Sequence, residues 1–166
     1  MKKITLFIAL IMISYTGHSQ TVLGPGDIAF IGSNTDTGST TAVNATFILL
    51  KDIDAATQII FTDRGWNDSS GFTNIAGDGE FTWTSGISRS VGDIITIDLS
   101  SGVLSNSGAY AIQGDQLFAI QGSIASPTFI AGLHFNIEPG TGDSNWDGIT
   151  IEADESHLPN TLTTGD

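Results

Sequence analysis

The segment Glu80-Phe81-Thr82-Trp83-Thr84 decides the fold class of this 166-residue chain. Apolar and polar side chains alternate along it, so an extended backbone places Phe81 and Trp83 on one face and the three polar groups on the other. Residues 95–99 alternate in the same way, with isoleucine or leucine at every second position. This period of two is typical of a strand with one face in an apolar core and the other in solvent. Both segments are therefore predicted to be half-buried strands.

Further strands are predicted on both sides of these segments. Continuous apolar runs suit strands that are buried on both faces or central in a sandwich. Four such runs occur, at Ile28–Ile31, Phe47–Leu50, Ile59–Phe61 and Leu117–Ile120. One further alternating stripe occurs at Phe129-Ala131-Leu133-Phe135. Recurrent Gly-Asp pairs suit turns, because glycine permits a positive φ and aspartate bonds to nearby backbone. Seven or eight short strands without a convincing helix predict an all-β fold, an immunoglobulin-like antiparallel β-sandwich.

The first 19 residues have the pattern of a cleavable signal peptide. Lys2 and Lys3 form a basic start, an apolar run extends from Ile4 to Tyr15, and Gly17 and Ser19 occupy the small positions before a cleavage site. As a helix, the apolar run would span about 18 Å, short of a bilayer core of about 30 Å. We therefore expect residues 1–19 to be removed and residues 20–166 to form a single domain. The product is expected outside the cell or on its surface, after periplasmic transit and without membrane insertion.

Composition limits the partners and the stabilising forces. Removal of residues 1–19 would leave three basic residues against 18 acidic ones, a formal net charge of −15. Such a surface repels phosphates, so we expect neither a nucleic-acid partner nor binding to anionic lipid headgroups. The chain has no cysteine, which excludes disulfide bonds, thiol catalysis and lipidation at the cleavage site. An apolar core must therefore hold the domain together.

Several segments resemble those of a known group of proteins. They are Gly26–Ile31, Phe47–Ile53, Ile60–Trp66, Gly114–Gly122 and Trp146–Gly148. Their order resembles that of uncharacterised N-terminal modules of large secreted and surface proteins of Gram-negative bacteria. The strand rhythm is more distantly similar to the lamin-tail domain, an immunoglobulin-like sandwich. This resemblance implies a binding or spacer module with no catalytic residues to carry over. Because the chain stops at a Gly-Asp pair, where another strand would begin, we expect a C-terminal truncation and further domains of a longer chain.

The most specific local motif is the loop Asp143-Ser144-Asn145-Trp146-Asp147-Gly148, with Asp154 at its twelfth position. Alternating oxygen ligands, a glycine at position six and a closing carboxylate are features of calcium-binding loops. Two features differ from such loops, since aspartate replaces the usual glutamate at position twelve and the flanking helices are missing. Asp143, Asn145, Asp147 and Asp154 are thus candidate calcium ligands. The alternative is a polar loop whose side chains cap turns.

Two tryptophans in polar loops, Trp66 and Trp146, are candidate ligand-binding residues. Exposed aromatic rings stack on sugar rings, and loops often carry binding residues. The alternative is that both indoles pack against the ends of the sandwich. If Trp66 and Trp146 were exposed and coplanar, carbohydrate binding would be favoured.

Four aspartates, Asp52, Asp54, Asp63 and Asp68, form a second acidic group. We expect them to cap turns, with Lys51–Asp52 or Asp63–Arg64 as surface charge pairs of little energetic weight. A cation site here has little support, because nothing in the spacing fixes a ligand geometry.

No catalytic motif is recognisable in the chain. A G-x-S-x-G elbow is absent, and two histidines outside the signal peptide, His134 and His157, make a zinc site improbable. The sequence therefore favours a non-enzymatic extracellular module of a larger protein, for adhesion, for binding carbohydrate or other surface proteins, or as a spacer. The alternative is an accessory or catalytic domain of a secreted hydrolase, which an open cleft with two facing carboxylates would favour.

Overall fold

The computed structural model describes residues 19–34, 43–74, 78–99, 114–136, 146 and 156–164. The predicted signal peptide, residues 1–19, lies almost wholly outside this part of the chain. The described residues are all-β, with nine strands and no helix, and no segment among them could cross a membrane as a helix. The strands are β1 (Ile28–Asn34), β2 (Asn44–Leu49), β3 (Gln58–Thr62), β4 (Trp66–Asn67), β5 (Gly71–Phe72), β6 (Glu80–Thr84), β7 (Ile94–Asp98), β8 (Gly114–Ser123) and β9 (Ser126–Asn136).

Seven of these strands build two antiparallel sheets. One sheet has the order β1-β2-β7 and the other the order β6-β3-β8-β9, while β4 and β5 form a separate two-stranded ribbon. The chain passes from one sheet to the other after β2, β6 and β7. The predicted all-β, sandwich-like character is confirmed.

The main core lies between the two sheets. The ring centroid of Phe47 in β2 lies 5.5 Å from that of Phe61 in β3 and 5.6 Å from that of Trp83 in β6. In β7, Ile95 and Ile97 are buried while the residues beside them are exposed. This alternation follows from the pleat of an extended backbone. The predictions for Trp83 and for residues 95–99 are confirmed.

The four-stranded sheet is apolar on its outer face as well. In β8, Leu117 and Ala119 belong to the main core, whereas Phe118 and Ile120 belong to a second cluster, here called the outer cluster. The remaining members of the outer cluster come from β3, β9, the β4–β5 ribbon, the turn after β8, Trp146 and the segment 156–164. Both faces of this sheet are thus covered, as the continuous apolar runs of β3 and β8 predict.

A β-bulge in β9 divides the predicted stripe that begins at Phe129. Ala119 of β8 pairs with Ala131, but the next residue, Ile120, pairs with Phe129, so Ile130 is the extra residue. Phe129 therefore joins the outer cluster, whereas Ala131 packs in the main core. The prediction of one continuous stripe is wrong at Phe129, because a bulge shifts the alternation by one residue.

In the described part of the chain, the first sheet is covered on one face only. β1 is an edge strand, and Ile31 at its centre is 52% exposed. Leu50, directly after the central strand β2, is 49% exposed. Of the two predicted alternatives, the run Phe47–Leu50 belongs to a central strand that buries alternate residues, whereas the run Ile28–Ile31 belongs to an edge strand and is buried at Ile28 but exposed at Ile31.

Two Gly-Asp pairs form the predicted turns. Gly26 and Gly92 have φ angles of 78° and 92°, and the strands β1 and β7 begin two residues later. Both angles lie in the left-handed region that favours glycine. The pair Gly114-Asp115 differs, because it forms the start of β8 itself.

Candidate functional site

A pocket of about 370 Å³ opens beside Trp66. Its described lining comes from Pro25, from residues 126–129 at the start of β9, from the ribbon residues Trp66 and Asp68, and from residues 159–161. A volume of this order falls at the lower end of the range of small-molecule sites. The pocket is thus built where loops and strand ends that are distant in sequence meet.

Backbone hydrogen bonds hold Trp66 in place. Its N–H donates to Oγ of Ser156 at 2.9 Å, and its carbonyl oxygen accepts a bond from the N–H of His157 at 2.8 Å. Trp66 also pairs with Phe72 across the β4–β5 ribbon. The segment that begins at Ser156 is therefore fastened to the ribbon at the residue that lines the pocket.

Two phenylalanines fix the orientation of the Trp66 indole. The rings of Phe72 and Phe129 lie 5.1 Å and 4.9 Å from it, at interplanar angles of 72° and 75°. Edge-to-face pairs of this kind stabilise a ring beyond the area that it buries, by about 0.5–1.5 kcal/mol. The orientation of the indole is consequently fixed by the fold itself.

Polar groups surround this indole. Its N–H donates to Oδ1 of Asp68 at 2.9 Å, and Oδ2 of Asp68 lies 3.9 Å from Nδ1 of His157. The exposed side chains of Ser126, Thr128, Asn160 and Thr161 also line the pocket. No basic side chain occurs in the described lining. The pocket therefore combines one aromatic wall with hydroxyl, amide and carboxylate groups.

Trp146 lies at another place on the outer face. Its ring centroid is 5.5 Å from Phe118 and 5.0 Å from His134, and an added Cβ at Gly132 would lie 3.3 Å from it. Trp146 does not line the pocket in its described part. Both indoles are half-buried in the outer cluster. The condition that would favour sugar binding by the pair, two exposed indoles, is therefore not met. A ligand-binding role for Trp146 stays a prediction.

The candidate calcium ligands Asp143, Asn145, Asp147 and Asp154 all lie outside the described residues, so calcium binding stays a prediction. Within the described part of the chain, no group of three or more histidine, aspartate or glutamate side chains could hold a metal ion.

The four aspartates of the second acidic group make most of their contacts with segments that are distant in sequence. Asp52 Oδ1 accepts a bond from the N–H of Val91 at 2.8 Å, and Asp54 Oδ2 accepts one from Oγ1 of Thr21 at 3.1 Å. Both aspartates line a shallow polar cleft that also includes Arg89. These bonds connect separate segments of the chain, so the prediction that the aspartates cap their own turns is wrong for Asp52 and Asp54.

The predicted charge pairs Lys51–Asp52 and Asp63–Arg64 are wrong, because each basic side chain pairs with a different acidic residue. Lys51 Nζ pairs with Asp27 at 2.9 Å, and Arg64 Nε pairs with Glu80 at 3.2 Å. Consecutive side chains of an extended backbone point to opposite faces, so residues on adjacent chain segments are better placed as partners than sequence neighbours.

Asp63 differs from the other three aspartates because it is buried. Burial raises its pKa from 3.8 to about 7, although a hydrogen bond from the backbone of Gly79 acts in the opposite direction. Burial also raises the pKa of Asp78, against the attraction of Arg64. The sequence gives no signal of this burial, since Asp63 and Arg64 together suggest a surface pair.

Comparison of the chain with protein-family models, with curated proteins and with solved structures finds no match. Function is therefore inferred from geometry. Of the two tryptophans predicted to bind ligand, Trp66 lines the pocket. Asn160 and Thr161, which line the same pocket, could not be identified from the sequence, because their position depends on the packing of residues 156–164 against the ribbon.

Proposed function

We propose that this chain is a non-enzymatic binding module of a larger secreted or cell-surface protein, with an immunoglobulin-like fold related to the lamin-tail domain. The strand order supports this fold, since β1-β2-β7 corresponds to strands A-B-E of an immunoglobulin sandwich and β6-β3-β8-β9 to strands C′-C-F-G. The N-terminal pattern and the absence of cysteine support export without lipidation. Loops on a rigid sandwich are frequent places for binding sites.

The proposed ligand is an uncharged sugar unit bound in the pocket beside Trp66. The observation that carries the proposal is a pre-oriented indole surrounded by hydrogen-bonding side chains. A sugar ring has an apolar C–H face for the indole and hydroxyl groups for Asp68, Asn160 and Thr161. An anionic sugar would be repelled by Asp68 and by a chain with a net charge of −13.

Titration calorimetry and saturation-transfer NMR with neutral and acidic oligosaccharides test this proposal. We expect a neutral oligosaccharide to bind and Trp66→Ala to abolish binding. Asn160→Ala and Thr161→Ala should each weaken binding by about 3–10-fold, the effect of one lost hydrogen bond. Circular dichroism checks that Trp66→Ala remains folded, because Trp66 also packs in the outer cluster.

Thr164→Ala is the matched control for Thr161→Ala. Thr164 is exposed, lies in the same segment and does not line the pocket. Its substitution should leave the affinity unchanged. The proposal is wrong if no sugar of the panel binds, or if binding survives Asn160→Ala and Thr161→Ala with unchanged affinity.

A further inference from the structure

Asp63 is a buried carboxyl group, one oxygen of which has no hydrogen-bond partner among the described residues. The residue follows β3 directly and is 1% exposed. Its Oδ1 accepts a hydrogen bond from the backbone N–H of Gly79 at 2.7 Å, whereas its Oδ2 is buried and accepts no hydrogen bond from the described residues. An ionised carboxylate has about four acceptor sites to satisfy. Burial with a single donor therefore penalises the ionised form far more than the neutral acid.

The charges nearest to Asp63 do not offset this penalty. Asp78 repels a negative charge on Asp63, and Arg64 attracts it more weakly than burial opposes it. The guanidinium of Arg64 is also engaged by the carboxylate of Glu80 at 3.2 Å. Desolvation has the largest effect on the pKa of Asp63, and it exceeds the opposite effect of the Gly79 hydrogen bond.

Two further titratable groups lie on the strands beyond β3. Asp115 on β8 accepts a hydrogen bond from the N–H of Gln116, and His134, opposite Gln116 on β9, packs against Trp146. Among the described residues, Asp78 and Arg64 are the charged groups that shift the pKa of Asp63.

Asp63 also joins three strands at one point. Gly79 stands immediately before β6, and both of its backbone groups are bound, the N–H by Asp63 and the carbonyl oxygen by Oγ1 of Thr62 at 2.6 Å. Gln116 of β8 donates its Nε2 to the backbone oxygen of Asp63. Asp63 therefore connects the end of β3 with the start of β6 and with β8.

We propose that Asp63 is a proton-controlled latch, whose neutral side chain binds the N–H of Gly79 at the start of β6 and whose deprotonation releases this N–H, while Thr62 continues to hold the carbonyl oxygen of Gly79. The ionised carboxylate regains hydration by moving toward water, and this movement breaks the bond to Gly79. Between about pH 4 and pH 7, the folded state keeps a proton on Asp63 that the unfolded chain has lost, because the fold raises the pKa of Asp63 from 3.8 to about 7. This contribution to stability is complete below about pH 4 and is lost as the pH rises through about 7.

NMR of the folded protein tests the latch directly. We expect the ¹³Cγ resonance of Asp63 and the amide proton of Gly79 to titrate together, with a midpoint near pH 7. The melting temperature should fall by about 5–10 °C between about pH 5.5 and pH 8.5. Ordinary carboxyl groups are already ionised throughout this range. A ¹³Cγ midpoint near pH 4 would overturn the proposal, and this measurement needs no variant.

Asp63→Asn keeps an acceptor for Gly79 and cannot ionise, so its melting temperature should be nearly independent of pH in the same range. Asp52→Asn is the matched control, because the Asp52 carboxylate also accepts one backbone N–H, at 2.8 Å from Val91, but is exposed. It should retain the pH dependence of the wild type. All three proteins contain the same histidines, so a fall that persists in Asp63→Asn would assign the effect to other groups and contradict the latch.

Discussion

Gly122 closes the turn between β8 and β9 with a φ of 92°, and a Cβ at this position would lie 2.6 Å from the carbonyl oxygen of Ser126. Gly92 has the same φ of 92° but open space around its would-be Cβ. We expect Gly92→Ala to cost about 1–2 kcal/mol of unfolding free energy from backbone strain alone. Gly122→Ala should cost at least about 1 kcal/mol more, because backbone must also move.

Urea unfolding of the two variants measures this difference, and equal losses would contradict it. The experiment also concerns the pocket, since Ser126 lines it.

The role of Gly92 could be predicted from the sequence, because it is local to one Gly-Asp turn. The burial of Asp63 could not, because its hydrogen-bonded neighbours Gly79 and Gln116 are 16 and 53 residues away.

At the scale of elements, Gln121 of β8 fastens the segment before β1 to the second sheet. Its Oε1 accepts a bond from the N–H of Leu23 at 2.8 Å, and its Nε2 donates to the carbonyl oxygens of Thr21 and Gln58 at 2.9 Å and 3.0 Å. Gln121→Leu leaves these three backbone groups without that partner. We expect a loss of about 2–4 kcal/mol in unfolding free energy, since unsatisfied buried polar groups are costly.

Gln58→Leu is the matched control, because Gln58 is exposed and its side chain makes one long bond of 3.3 Å to Thr84. Its unfolding free energy should change by less than about 1 kcal/mol. If urea unfolding showed similar losses of unfolding free energy in the two variants, the three hydrogen bonds of Gln121 would not stabilise the fold as we expect.

The elements themselves were largely predictable, whereas their partners were not. Alternation identifies β6 and β7 because the pleat imposes a period of two on every half-buried strand. It carries no information on strand order, or on the bulge at Ile130 that moves Phe129 to the outer face. The short ribbon containing Trp66 has too few residues to show a period. The pocket depends on the bulge, on the ribbon and on the segment 156–164, so the sequence indicated Trp66 and not the site around it.

At the scale of the whole molecule, the described fold begins close to the predicted cleavage site. Ser19 and Gln20 are exposed, and among the described residues the tertiary hydrogen bonds nearest to the predicted cleavage site are those of Thr21, whose N–H donates to Oγ1 of Thr57 at 3.1 Å and whose hydroxyl donates to Asp54. Removal of residues 1–19 therefore leaves the hydrogen bonds that begin at Thr21 intact.

Mass spectrometry of the protein recovered from an expressing culture tests the predicted cleavage. We expect an N-terminus at or near Gln20, because signal peptidase requires small residues at positions such as Gly17 and Ser19. Ser19→Leu should block cleavage, while Gln20→Leu, one residue beyond the predicted cleavage point, should be processed normally. Both side chains are exposed, so neither substitution should disturb the fold. A secreted product that retains Met1, or equal processing of the two variants, would contradict the prediction of a cleaved signal peptide.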